Sequence, residues 1–117
     1  MDITMPRGDL RVVRFQVLDS EGNKTDLAFD EIYVTFKKNF NQKDYLFQKR
    51  LTDNTIMQLD LGDYQFTILP EDTNGLTVTN YVFDIEVLFS SQIKQTFVGK
   101  LTLTPEVTFA ENEVSGE

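Results

Sequence analysis

Apolar residues recur at every second position through most of this chain, and that period restricts it to β-structure. A helix would set them three and four apart. In residues 10–19, Val13, Phe15 and Val17 share one face, with Arg14 and Gln16 on the other. In residues 31–38, Ile32, Val34 and Phe36 alternate with Tyr33, Thr35 and Lys37. Tyr64, Phe66 and Ile68 share a face in residues 63–69. In residues 80–89, Tyr81, Phe83, Ile85, Val87 and Phe89 oppose Asp84 and Glu86. Residues 95–104 set Phe97, Leu101 and Leu103 against Val98, Lys100 and Thr102. Each such strand offers one face to a core and one to water.

Turn chemistry separates these stretches. Residues 19–25 carry Gly22-Asn23, two residues that tolerate positive φ. Residues 38–44 lead into a shorter strand at 45–51, residues 70–77 form the longest connector, and a hairpin turns at 90–92. Pro70 suits the first position of a single helical turn, with two acids following it. The spacing predicts an all-β, antiparallel sandwich of about seven to nine strands, one domain over residues 1–104. Residues 105–117 then form an acidic tail with four Glu and no Lys or Arg, expected to fray.

The composition removes several classes of function. A net charge of −8 opposes general nucleic-acid binding, which needs cations to replace condensed counterions. There is no Cys and no His, so disulfides, thiolate metal sites and the commonest general base are absent. No apolar run nears the roughly 20 residues that span a bilayer, so no membrane insertion is expected. The N-terminal residues lack the apolar core of a signal peptide, so folding in the cytosol without processing is expected. No phosphate loop or G-x-S-x-G turn occurs, and no cofactor is expected.

Three constellations could carry chemistry. Arg7-Gly8-Asp9 matches an integrin-type adhesion tripeptide, but a strand begins immediately after it, which makes it a lead-in rather than a loop tip. Asp19, Glu21 and Asp26 lack the Gly and Glu spacing of a calcium loop and read as a hairpin turn. Among the 19 acids, no pair is singled out for acid–base catalysis, and no catalytic residue is assigned. A partner surface is the better candidate. Tyr33, Phe40 and Tyr45 are aromatics open to exposure, and Lys37, Lys38, Lys43, Lys49 and Arg50 form a basic run in an acidic chain. These eight residues suit contact with an acidic neighbour, including the tail of another copy, or edge lysines that discourage aggregation.

The order of the stretches carries a resemblance. "ITMPRGDLRVVRFQVLDSEGNKTDL" is followed by "IYVTFKKNFNQKDYLFQKRL", then "GDYQFTILPEDTNGL", "NYVFDIEVLF" and "GKLTLTPEVT". Residues 3–108 resemble the small β-sandwich domain of tailed-phage and prophage virion proteins, including the N-terminal domain of phage baseplate upper proteins. Tyr81 after Asn80 also resembles the tyrosine corner of immunoglobulin-like domains, without their Trp and paired Cys. "LAFDEI" departs from the family's small-residue turn, and the long carrier region of a baseplate upper protein does not follow. The resemblance implies a non-enzymatic structural or assembly module in the virion. It would dock on other tail subunits or on itself, and one route is adding a strand to a sheet edge. The alternative is a module that binds glycans or a host surface, which requires exposed aromatics.

Overall fold

The alternating faces close onto one another as two sheets. The computed structural model describes residues 1–24, 29–89 and 92–106. The strands are β1 (Asp2–Pro6), β2 (Arg11–Gln16), β3 (Glu31–Lys37), β4 (Phe47–Arg50), β5 (Ile56–Asp60), β6 (Asp63–Ile68), β7 (Asn80–Phe89) and β8 (Gln92–Thr104). A single helical turn, α1 (Pro70–Thr73), joins β6 to β7, with Pro70 at its start. Five strands pair in the order β1-β8-β7-β3-β4, and three in the order β2-β6-β5. The expected hairpin turn around 90–92, Asp26 of the acidic connector and the tail from residue 107 lie wholly or partly outside the described residues.

The core is the set of faces that the alternation marks. Val13, Phe15, Val17, Ile32, Val34, Phe36, Tyr64, Phe66, Ile68, Tyr81, Phe83, Ile85, Val87, Leu101 and Leu103 are all buried. Burying each large apolar side chain contributes about 1.5–3 kcal/mol. Phe36 sits at the centre, with ring centroids 4.3 Å from Phe47, 5.0 Å from Phe83 and 6.2 Å from Phe66. Phe66 belongs to the three-stranded sheet, so this cluster fastens one sheet to the other.

Two features depart from the expectation. The N-terminal residues are a strand, and β1 runs parallel to β8 instead of antiparallel. The cause lies in Arg7-Gly8-Asp9, where the chain leaves one sheet for the other instead of reversing in a hairpin. Gly8 takes φ +84, and its N–H donates to the buried Thr73 hydroxyl at 2.8 Å. The Arg7 N–H donates to the Thr104 carbonyl at 3.0 Å, while its guanidinium donates to Glu106 at 2.9 Å and to the Leu76 carbonyl at 3.2 Å. An adhesion ligand must offer a free guanidinium at a loop tip. Here Arg7 is tied on three sides, and the tripeptide is a crossover between sheets.

The second departure is Phe97, expected on the core face but 37% exposed. β1 pairs only with Lys100–Thr104 of β8, so Phe97 and Val98 lie on an uncovered edge below it. Just before that pairing begins, the N-terminus approaches β8 closely. A Cβ on Gly99 would lie 2.6 Å from the Phe83 ring and would collide with the Met1 carbonyl oxygen. Gly99→Ala is therefore expected to destabilise the fold by about 1–3 kcal/mol, as overpacking does. Urea unfolding checks this, and an unchanged midpoint would show that β1 is not seated against β8.

Candidate docking surface

The loop between β3 and β4 is a built structure. The Asn39 side chain accepts from the Asn41 N–H at 3.1 Å, its carbonyl accepts from Gln42, and the Leu46 N–H donates to the Phe36 carbonyl at 2.7 Å. The turn at Asn39 carries Phe40 outward, 57% exposed, and Tyr45 stands 51% exposed at the far side. Lys38 and Lys43 are exposed on the same loop. The Lys38 ammonium lies 5.0 Å above the Tyr81 ring. Beside the loop runs an open groove of about 490 Å³ whose other wall is residues 75–79. Leu46 and Val78 are exposed along it.

The eight residues of the basic and aromatic run therefore divide three ways. Lys38, Phe40, Lys43 and Tyr45 belong to this loop, and Phe40 also lines a small hollow with Thr35, Lys37, Val82 and Asp84 on the outer sheet face. Tyr33, Lys37 and Arg50 lie on the outer face of the five-stranded sheet, where the Arg50 guanidinium covers the half-buried Tyr33 ring at 5.2 Å. Arg50 also donates to Gln48 at 2.9 Å, and Gln48 donates to Thr35 at 2.9 Å. Lys49 joins neither group, which corrects its place among surface cations. It pairs with Val34 in register and points inward, only 6% exposed. Its ammonium meets Asp72 of α1 at 2.7 Å, and the same carboxylate oxygen accepts the Leu69 N–H at 2.8 Å.

Leu46, Leu76 and Val78 were not singled out by sequence. A signal existed, since Leu76 and Val78 are apolar residues in an otherwise polar connector.

The edges at β1, β2, β4 and β5 offer little to an incoming strand, whereas β8 ahead of Lys100 has no partner on its β1 side and carries the exposed Phe97 and Val98. β4 has four residues with a charge turned inward, β2 carries Arg11 and Arg14, and β1 ends at Pro6. β5 is broken by a bulge between Gln58 and Asp60. Each is a recognised way of blunting an edge.

Carboxylates are spent on structure or lie flat. The Asp19 side chain accepts from the N–H groups of Glu21 and Asn23 at 2.9 and 3.0 Å, the bonds of a turn. Buried Glu31 accepts from Thr52 and from the Ile32 N–H, and although burial opposes its charge these bonds hold its pKa below the usual value. A hollow of about 520 Å³ along β2, β5 and β6 contains Asp63, held low first by the hydrogen bond from Lys24 and also by one from Gln16. Asp84 and Glu86 share the outer face of β7, and burial pushes both upward, with Asp84 adding to the effect on Glu86. Asp84 lines only a hollow of about 40 Å³ on the sheet face, with Lys37 and Phe40. Among the described residues, no group of three or more acids could hold a metal ion. No described helix is long and apolar enough to cross a membrane.

Removing one partner of a buried ion pair strands the other charge, at about 3–5 kcal/mol when burial is complete. Lys49 and Asp72 retain some exposure, 8% and 14% of their side chains, so screening reduces the effect. Asp72→Ala is expected to cost about 2–3 kcal/mol and Lys49→Met less, because methionine fills the same space without a charge. Equal losses in chemical denaturation would contradict this.

Asp84 gives a test in pH. Its native pKa exceeds the ordinary 3.8, so the native state holds the proton more tightly than the unfolded chain. Stability from this group therefore falls as pH rises from about 3.8 through the native value, and the penalty is complete above it. Asp84→Asn is expected to raise the melting temperature at neutral pH and to leave it unchanged at acid pH. A gain of equal size at both would refute the assignment.

No family model, curated protein or solved structure matches this chain.

Proposed function

We propose that this chain is a non-enzymatic structural or assembly module of a phage or prophage virion, of tail or baseplate type. It acts by docking proteins at the loop end formed by residues 38–46. The observation that carries this reading is the exposure of Phe40 and Tyr45 on a loop tied by its own hydrogen bonds. Aromatic anchors on a preorganised support bind at low entropic cost. The order of motifs in residues 3–108 supports the virion setting. Its partners are other virion subunits or a second copy, and it requires no cofactor.

An immunoglobulin-like classification fits as well. The order β1-β8-β7-β3-β4 over β2-β6-β5 matches a GFC sheet extended by C′, facing a sheet of B, E and D. The Tyr81 hydroxyl donates to the Thr77 carbonyl at 2.7 Å, the bond of a tyrosine corner.

A second reading, glycan or host-surface binding, is favoured by the same exposed rings standing beside Asn41, Gln42 and Lys43. A photoreactive residue at position 45 separates the two. Crosslinking to a virion protein within assembled particles, lost with Phe40→Ala, is expected from docking. Glycan-array binding that disappears with Tyr45→Ala, without a protein crosslink, would replace docking by the second reading.

A further inference from the structure

The groove at the loop end complements one segment of the chain itself. Its walls include Lys38, Gln42, Leu46, Leu76, Val78 and Tyr81, and among the described residues no carboxylate lines it despite the net charge of −8. Lys38 places its charge over the Tyr81 ring, within the groove, and Lys43 stands on the same loop. The described chain ends at this same end of the sandwich. Glu106 accepts from the Arg7 Nε at 2.9 Å, and another nitrogen of that guanidinium donates to the carbonyl of Leu76, a groove residue. One guanidinium thus joins Glu106 to the groove wall.

Beyond Glu106 the sequence reads "VTFAENEVSGE", with Glu111, Glu113 and Glu117, no Lys or Arg, and the apolar Val107, Phe109 and Val114. Fully extended, such a segment reaches up to about 36 Å, more than enough to enter a groove that begins one side chain away.

We infer that this groove is the docking site for the chain's own residues 107–117. The apolar side chains meet Leu46, Leu76 and Val78, and the glutamates face Lys38 and Lys43. A tethered segment acts at an effective concentration in the millimolar range, which favours the chain's own segment over that of a second copy. The inference deepens the loop-end reading and rests on it for the site: the loop that presents Phe40 and Tyr45 also supplies Lys38, Gln42 and Leu46 to the groove.

The chain has no Trp, so Phe109→Trp in the full chain supplies a single reporter. Its emission is expected at shorter wavelength than that of a free 105–117 peptide bearing the same substitution. The shift should be independent of protein concentration and reduced by salt. Lys38→Glu and Val78→Asp, both at surface positions, should each abolish it. Emission equal to the free peptide, or insensitive to both groove variants, would overturn the inference. So would a shift that grows with protein concentration, because the occupant would then come from a second copy. If the shift behaves as expected while crosslinking from position 45 finds no protein, the docking function fails and the groove assignment stands. The converse result removes the groove assignment alone.

Discussion

The contact of Phe36 with Phe47, Phe83 and Phe66 holds the rest of the molecule in place. Phe36 reaches two rings of its own sheet and one of the opposite sheet. The three-stranded sheet would otherwise expose its apolar inner face to water, and here that face lies on this cluster. With the sheets fixed by apolar packing, polar residues are free to tie down the ends. Lys49 and Asp72 anchor α1 to β4, Glu31 anchors the turn after β4, and Arg7 anchors the crossover from β1 to β2.

Those ties have a consequence for the surface. Cations that look available in sequence are largely engaged. Lys49 is inside, Arg50 lies on Tyr33, Lys38 lies on Tyr81, and Arg7 serves Glu106 and Leu76. The surface that remains is less a field of charge than a set of exposed apolar side chains, Phe40, Tyr45, Leu46 and Val78 at the loop end and Val12, Met57 and Leu59 along the three-stranded sheet. This is why docking by shape and apolar contact suits the molecule better than broad electrostatic attraction.

Much of the fold was legible because sheet burial follows a period of two, and nearly every residue placed on a core face by alternation is buried. Phe97, exposed, and Phe89, half-buried, are the exceptions: alternation states which face a residue takes but not whether anything covers that face. β1 escaped notice because "DITMP" is short and ends in Pro, and its partner lies about a hundred residues away. The docking surface was half legible. Phe40 and Tyr45 stand in a polar loop, which argued for exposure, whereas Leu46, Leu76 and Val78 come together from two connectors that sequence does not relate.

What the sequence determined by itself was the class of structure, since alternation, turn residues and the absence of Cys and His need no knowledge of neighbours. It also set the acidic charge and concentrated half of it after Thr104. The tertiary structure decided which charges are free. An inward Lys49 and an outward Arg50 are adjacent in the chain, and only the position of Asp72, brought by a helical turn from another strand, separates a buried ion pair from a surface cation. Long-range contacts of this kind depend on how two sheets meet, and no local pattern encodes that meeting.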